Sequence, residues 1–200
     1  MTEVPVLIAG GGPVGMTLAL ELASHGISSL LVERNSSTTH HPKMDLTNGR
    51  SMELYRRLGV SEQLRAVGVP EDNPLDIQWA TSPQGHLLHR FAYPSAAQSR
   101  ARTAQLNDGA QTREPGMRVS QILLEPVLKQ AVDNNPLVDA RFGWAFEGME
   151  QDADGVVSKL RNGNGDVTQI RSRFLVGCDG GGSTVRREAG IALDGQHAVA

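Results

Sequence analysis

The chain has 200 residues, of which 39% are hydrophobic and 20% charged, with a formal net charge of −3. That length suits one medium domain or a tight pair, and the ordinary apolar fraction excludes a disordered or collagen-like chain. The mildly acidic balance gives no basic field for nucleic acid or a membrane surface, and no apolar run reaches the roughly 18 residues a bilayer span needs.

Residues 4–9 (VPVLIA) form a short apolar run ending in three glycines, which reads as a buried parallel strand. From Pro13 to His25, Val14, Leu18 and Leu22, with Met16 and Leu20, recur at helical spacing, and Gly26 stops the helix. Residues 28–32 make a second strand ending at Glu33, so the first segment is a βαβ unit of about thirty residues. A polar stretch without period follows. Residues 50–58 then read as a helix closed by Gly59, and a shorter helix runs from Ser61 to Gly68. LDIQWAT and HLLHRFA look like the two arms of a hairpin turning at Pro83-Gln84-Gly85. Residues 92–117, rich in Ala, Ser, Gln, Pro and Gly, are expected to be a long excursion or mobile loop. Ser120 is placed to cap a helix running to Val132, with Ile122, Leu123, Val127, Leu128 and Ala131 on one side. The runs 137–142, 144–150, 155–161 and 167–172, with turn signals at Asp154-Gly155 and around Gly163 and Gly165, predict an antiparallel meander. A last apolar strand, FLVG, leads into CDGGGSTVRREAGI, whose end reads as a helix start. Strands that alternate with helices and then cease to do so predict a parallel sheet with an inserted antiparallel layer.

The first chemical constellation is Gly10-x-Gly12-x-x-Gly15 with Glu33. Gly10 permits a tight turn off the strand, Gly12 allows close approach of a pyrophosphate, and Gly15 lets the helix lie close to the sheet. The helix N-terminus adds N–H donors and a partial positive charge. Glu33, 18 residues after Gly15, can accept from ribose hydroxyls and disfavours a 2′-phosphate. Arg34 beside it is an adenosine neighbour or a solvated charge. The motif by itself does not separate NAD from FAD.

The second is Cys178-Asp179-Gly180-Gly181-Gly182-Ser183 with Arg186. Asp179 would stand at the carboxyl end of a strand, where open α/β sheets bind ligands. Ser183 is a helix cap, and Arg186 supplies either nearby positive charge or a surface ion pair. Cys178 is read as a small buried side chain and not a reactive thiol. One cysteine cannot close an internal disulfide, which suits a reducing compartment, and the cytoplasm is the expected location. MTEVPVLIAGGG has no basic stretch, so no secretory leader is expected, and the Asn35-Ser36-Ser37 sequon carries no weight.

Together, VLIAGGGPVGMTLALELASHG…LLVER and FLVGCDGGGSTVRREAGI resemble the FAD-dependent aromatic hydroxylases, the single-component flavoprotein monooxygenases. HHPKMDLTNGRSMELYRRLGV and MRVSQILLEPVL are similar to the family's intervening loop and helices, closest to the phenol-hydroxylase-like branch. The resemblance implies an α/β, Rossmann-like FAD-binding fold with a parallel sheet, an antiparallel β-meander and part of a substrate-domain excursion. Residues 1–73 and 118–200 would form the FAD-binding domain, incomplete at its C-terminal end, and 74–117 an insertion towards the substrate domain. By resemblance, Gly10, Gly12, Pro13, Val14 and Gly15 hold the FAD pyrophosphate and Glu33 the ribose. Lys43 approaches the flavin half, Gln121 and Arg118 are helix residues near the middle of FAD, and Asp179 serves FAD and NAD(P)H.

The activity implied is hydroxylation of a small phenolic or aromatic substrate by O₂, with NAD(P)H as co-substrate, through a flavin C4a-hydroperoxide. Trp79, His89 and Tyr93 are candidates for an aromatic pocket, core packing being the commoner fate of such residues. No metal site, nucleic acid or membrane partner is expected; His25, His40, His41, His86, His89 and His197 show no ligand spacing. A homodimer belongs to the full-length family. The family's third signature, a flavin-contacting Gly-Asp pair, has no counterpart, because Gly165-Asp166 falls in a meander turn. The chain is therefore expected to be an N-terminal portion, or a truncated FAD- or nucleotide-binding homologue without hydroxylase activity of its own.

Overall fold

The computed structural model describes residues 2–41 and 43–195. In chain order the elements are β1 (Thr2–Ala9), α1 (Pro13–Ser24), β2 (Ser29–Glu33), β3 (Leu46–Thr47), α2 (Gly49–Arg57) and α3 (Ser61–Val67). There follow β4 (Ile77–Ala80), β5 (Leu87–Phe91), α4 (Ala96–Leu106), β6 (Met117–Arg118) and α5 (Gln121–Asp133). The chain closes with β7 (Val138–Phe142), β8 (Ala145–Gln151), β9 (Val156–Arg161), β10 (Val167–Gly177) and α6 (Thr184–Glu188). It divides into two compact units, Met1–Thr39 with Leu128–Ala200, and His40–Val127. The second unit contains the whole 74–117 stretch and reaches beyond it on both sides. No helix among the described residues is long and apolar enough to cross a membrane.

The first unit is built on one sheet of order β7-β2-β1-β10-β9-β8. Its β7, β2, β1 and β10 run parallel, while β9 and β8 continue the same sheet antiparallel. Consecutive residues Leu7 and Ile8 in β1, and Leu30 and Leu31 in β2, are all fully buried, so both sheet faces are covered there. In β9 the pattern instead alternates, with Val156, Ser158 and Leu160 inward. A core of Leu7, Ala9, Leu30, Val32, Leu160, Ile170 and Val185 joins the parallel strands, the antiparallel strands and α6.

Three expectations change here. The antiparallel strands extend the parallel sheet instead of forming a layer of their own. The 137–142 run is not part of the meander, because helix α5 returns the chain before it and it pairs parallel with β2. The 167–172 run and FLVG are one strand, β10. Residues 167–172 of β10 face β9, and 170–177 face β1. The polar Arg171-Ser172-Arg173 looks like a break in the sequence, but it holds no Gly or Pro to turn the chain. The turns at Asp152–Gly155 and Asn162–Asp166 are as expected.

Helix α1 begins with Pro13 in its first turn and ends ahead of Gly26, whose φ is +74°. Its buried side is Gly15, Met16, Ala19, Leu20 and Ala23. The Val14-Leu18-Leu22 line is not the core face; Val14 is 69% exposed. On α5 the buried residues are Gln121, Leu124, Glu125, Leu128 and Val132, and the expected Ile122 and Leu123 point outward. Two polar side chains thus share the apolar face, which an apolar-only pattern could not register.

In the second unit, β3 pairs with β6, and β4 with β5 as the expected hairpin. Asn48 caps α2, its side chain accepting from the Ser51 N–H at 2.9 Å. The 92–117 segment is not all loop, since it contains α4. Ser95 and Gln98 form a reciprocal capping box at its start, and Asn107 closes it at φ 45°. Arg65, with 7% of its side chain exposed, bonds Glu114 at 2.8 Å and lies 3.3 Å from Glu71. Arg100 of α4 grips both oxygens of Glu71, at 2.6 and 2.9 Å.

Candidate dinucleotide site

The end of β1 turns through Gly10, whose φ is +115° and whose N–H donates to the Val32 carbonyl at 2.8 Å. A Cβ at Gly10 would run into the Cys178 carbonyl, and one at Gly15 would overlap the Gly10 carbonyl oxygen. The turn and the close helix approach therefore demand glycine at both places. Gly12 differs: among the described residues, no atom lies within 4 Å of where its Cβ would stand. Space is left there for a ligand to approach the backbone. Gly12 is also the N-cap of α1, without a side-chain cap and without an acid in the first turn. The first-turn N–H groups and the positive end of the helix dipole thus favour an anion.

Gly11 occupies a position the motif leaves free, and sequence reasoning missed it. A Cβ there would stand 2.6 Å from the Glu33 Cβ and 3.2 Å from Phe142 Cζ. The only signal was its place between two motif glycines, opposite the acid that ends β2. The Gly11 N–H donates to Glu33 Oε2 at 2.8 Å. Glu33 Oε1 accepts from the Asn35 N–H at 2.9 Å and from Asn35 Nδ2 at 2.6 Å. Glu33 is half-buried and Arg34 beside it is exposed.

The Cys178 N–H donates to the Ala9 carbonyl at 2.7 Å, so β10 delivers Asp179 directly beside Gly10. The Asp179 carboxylate accepts from the Ser183 hydroxyl and from the N–H groups of Thr184 (2.6 Å) and Val185 (3.2 Å). Burial pushes its carboxyl up, but the bonds from Ser183, Val185 and Thr184 together outweigh that and hold it below the usual carboxylate range. Ser183 caps α6 as expected, accepting from the Arg186 N–H at 3.0 Å. The Arg186 guanidinium donates to the Ile191 carbonyl at 2.8 Å and so closes the end of α6. Cys178 is half-buried, and burial, then the Asp179 charge, push its thiol up, away from a reactive thiolate.

In the second unit, Gln121 is 6% exposed, its Oε1 accepting from the Lys43 N–H at 2.9 Å and its Nε2 donating to Glu125 at 2.6 Å. The Lys43 side is exposed, and its expected neighbour Pro42 lies outside the described residues. Arg118 is not on the helix. The first helical bond runs from the Leu124 N–H to the Ser120 carbonyl, and Arg118 sits before it in β6, ion-paired with Asp45. Structure thus joins Gly10, Gly12, Gly15, Glu33 and Asp179 in the first unit, and Lys43 with Gln121 in the second.

Trp79, His89, Phe91 and Tyr93 make a chain of ring contacts along the hairpin, with Trp79–Phe91 edge-to-face at 5.3 Å. Trp79 is 46% exposed and Tyr93 49%, so these rings are not packed into a core. Among the described residues no group of three or more His, Cys, Asp or Glu could hold a metal; His197 lies outside them.

A family model described as an FAD binding domain matches residues 3–200. The chain is 42% identical over 192 residues to the FAD-dependent monooxygenase apdD of Emericella nidulans, covering 95% of this chain and 31% of that protein. It is 32% identical over 197 residues to the 2,4-dichlorophenol 6-monooxygenase of Cupriavidus pinatubonensis, covering 96% of this chain and 32% of that one. The crystal structure of the flavin-dependent monooxygenase PieE in complex with FAD and substrate superposes with a TM-score of 0.86 at 35% identity, over 97% of this chain and 33% of that one. The chain therefore spans about a third of the length of these relatives. A turn with obligatory glycines at Gly10 and Gly15, an open helix N-terminus and an acid at the end of β2 suit an ADP moiety, and the chain belongs to the FAD binding domain family.

Proposed function

We propose that this chain binds FAD through the first unit and forms the cofactor-binding part of a monooxygenase that uses NAD(P)H and O₂ to hydroxylate a small phenolic or aromatic substrate. The observation that carries the reading is the glycine turn. Gly10 and Gly15 are sterically obligatory, while the space at Gly12 stays open in front of an uncapped helix N-terminus. In this reading the backbone from Gly10 to Gly15, with Pro13 and Val14 between, holds the pyrophosphate, Glu33 accepts from the ribose, and Arg34 neighbours the adenosine. Asp179 orders the turn beside Gly10 by capping α6 and lies close to the cofactor. Lys43, Arg118 and Gln121 are assigned as further FAD contacts from their positions in the sequence motifs. When bound, FAD would supply the redox chemistry between NAD(P)H and O₂, while the protein supplies position and electrostatics. The cytoplasm suits a chain with a single cysteine.

The test is an absorbance spectrum of the purified protein after FAD addition and gel filtration. Retained flavin shows a band near ~450 nm, and its loss from the protein overturns the cofactor reading. NADPH oxidation coupled to a phenol, with ¹⁸O₂ label in the product, tests the reaction. Flavin retention without label incorporation would favour a flavin-binding protein with no hydroxylase activity of its own. Gly165-Asp166 lies in the β9–β10 turn, where the Asp166 N–H donates to Asn162 Oδ1 at 2.9 Å.

A further inference from the structure

Glu33 is held by protein donors on both carboxylate oxygens. Oε2 takes the Gly11 N–H at 2.8 Å; Oε1 takes the Asn35 N–H at 2.9 Å and Asn35 Nδ2 at 2.6 Å. A carboxylate offers about four lone-pair sites, so three donors leave about one for a ligand hydroxyl. Asn35 is itself anchored, since its carbonyl accepts the Gly143 N–H at 2.8 Å, next to the Trp144 N–H bond to the Glu33 carbonyl at 2.8 Å. Gly143, at φ +78°, makes the turn that brings both donors to the end of β2. On the other side, Gly11 has no room for a side chain between Glu33 and Phe142. The acid therefore stands between a backbone donor of the glycine turn and an amide fixed from behind by the β7–β8 turn.

We propose that Asn35 is a positioning residue for dinucleotide binding: it saturates Glu33 Oε1, leaving Oε2 to grip the Gly11 N–H and to offer its remaining lone pair to the adenosine ribose. The inference rests on the FAD reading above and adds to it a residue outside the glycine–acid motif. Without the Asn35 side chain, Glu33 keeps the Asn35 backbone N–H but loses the Nδ2 donor and gains rotamer freedom, so the glycine turn and the ribose acceptor both lose definition. The exposed Asn35 site carries no core packing, which separates positioning from folding.

The experiment titrates FAD and ADP into the unsubstituted protein, Asn35→Ala, Asn35→Asp, Glu33→Ala and the Glu33→Ala/Asn35→Ala double variant, alongside thermal melts. Asn35→Ala is expected to raise both Kd values about three- to tenfold, the net worth of one ordinary, solvent-exposed hydrogen bond. Asn35→Asp, which sets one carboxylate against another, is expected to raise them further. The double variant should bind no more weakly than Glu33→Ala, because an effect exerted through Glu33 vanishes with it. In ligand-free Asn35→Ala, amide exchange at Gly11 should quicken by a similar factor. An unchanged Kd in Asn35→Ala, or losses that simply add in the double variant, overturns the role of Asn35. Failure of the unsubstituted protein to bind either FAD or ADP overturns the function reading instead.

Discussion

Gly12 and Gly15 stand three residues apart and answer to different forces. Gly12 has an ordinary extended backbone, φ −76° and ψ −175°, and among the described residues nothing beyond its chain neighbours lies within 4 Å of its missing Cβ. Gly12→Ala should therefore melt like the parent yet bind FAD at least ~10-fold more weakly, since the methyl occupies the space where a pyrophosphate would approach the backbone. Gly15→Ala drives a methyl into the Gly10 carbonyl, and such overpacking costs about 1–3 kcal/mol, so both stability and affinity should fall. Parallel melts and flavin-fluorescence titrations check the contrast, and equal behaviour of the two variants would contradict it. Asp179 gives a pH signature. Its folded-state pKa is depressed, so its contribution is fully present above the ordinary carboxylate pKa of about 3.9 and is lost as pH falls through the lower folded value. The gap in melting temperature between the parent and Asp179→Asn should be widest near neutral pH and close in strong acid. The motif glycines and Glu33 were legible in the sequence because each answers a steric or hydrogen-bonding demand that few residue types meet. Gly11 was not, because its reason lies in the Glu33 and Phe142 side chains, which only the folded sheet sets against it.

Helix α4 shows what periodicity cannot detect. AAQSRARTAQL consists largely of good helix formers but has no apolar stripe, and Ala96 is its only buried residue. Its anchors are the capping box and the Arg100–Glu71 pair, which are tertiary and local details and not a pattern. The placing of Arg118 in a helix failed for a related reason: β3 and β6 have two residues each, and pairing so brief leaves no alternation to see. Arg65 of α3 ties the ion-paired group together. Arg65→Ala takes from Glu114 its 2.8 Å partner, leaving it Arg56 at 3.7 Å and Arg100 at 3.9 Å, while Glu71 keeps Arg100; losing a hydrogen bond between charged groups costs about 1.5–3 kcal/mol. A denaturant melt should show that loss, and a second substitution, Glu114→Leu, should recover part of it. No recovery would mean that packing, and not charge, holds the helices.

At the scale of the molecule, the α/β class followed directly from the opening βαβ unit, whereas the make-up of the sheet did not. Short runs separated by turn signals suggested a separate meander, because local pattern does not reveal which edge of a sheet a strand joins. Ligand linkage offers the global test of the cofactor reading. FAD at about 100 times its Kd should stabilise the folded protein by about 2.7 kcal/mol and raise the melting temperature by roughly 5–10 °C. FMN, which lacks the AMP moiety, should give a much smaller shift, and equal shifts would place binding elsewhere.

Strand β10 also acts as a ruler. Its pairing with β1 runs without a bulge from Thr2↔Ile170 to Ala9↔Gly177, so one continuous register sets how far Asp179 stands from Gly10. A residue inserted after Ser172 would leave the β9 ladder intact and shift Asp179 by one strand step, about 3.3 Å. Length errors in this strand would therefore be felt not where they occur but at its tip, where the two motifs must meet.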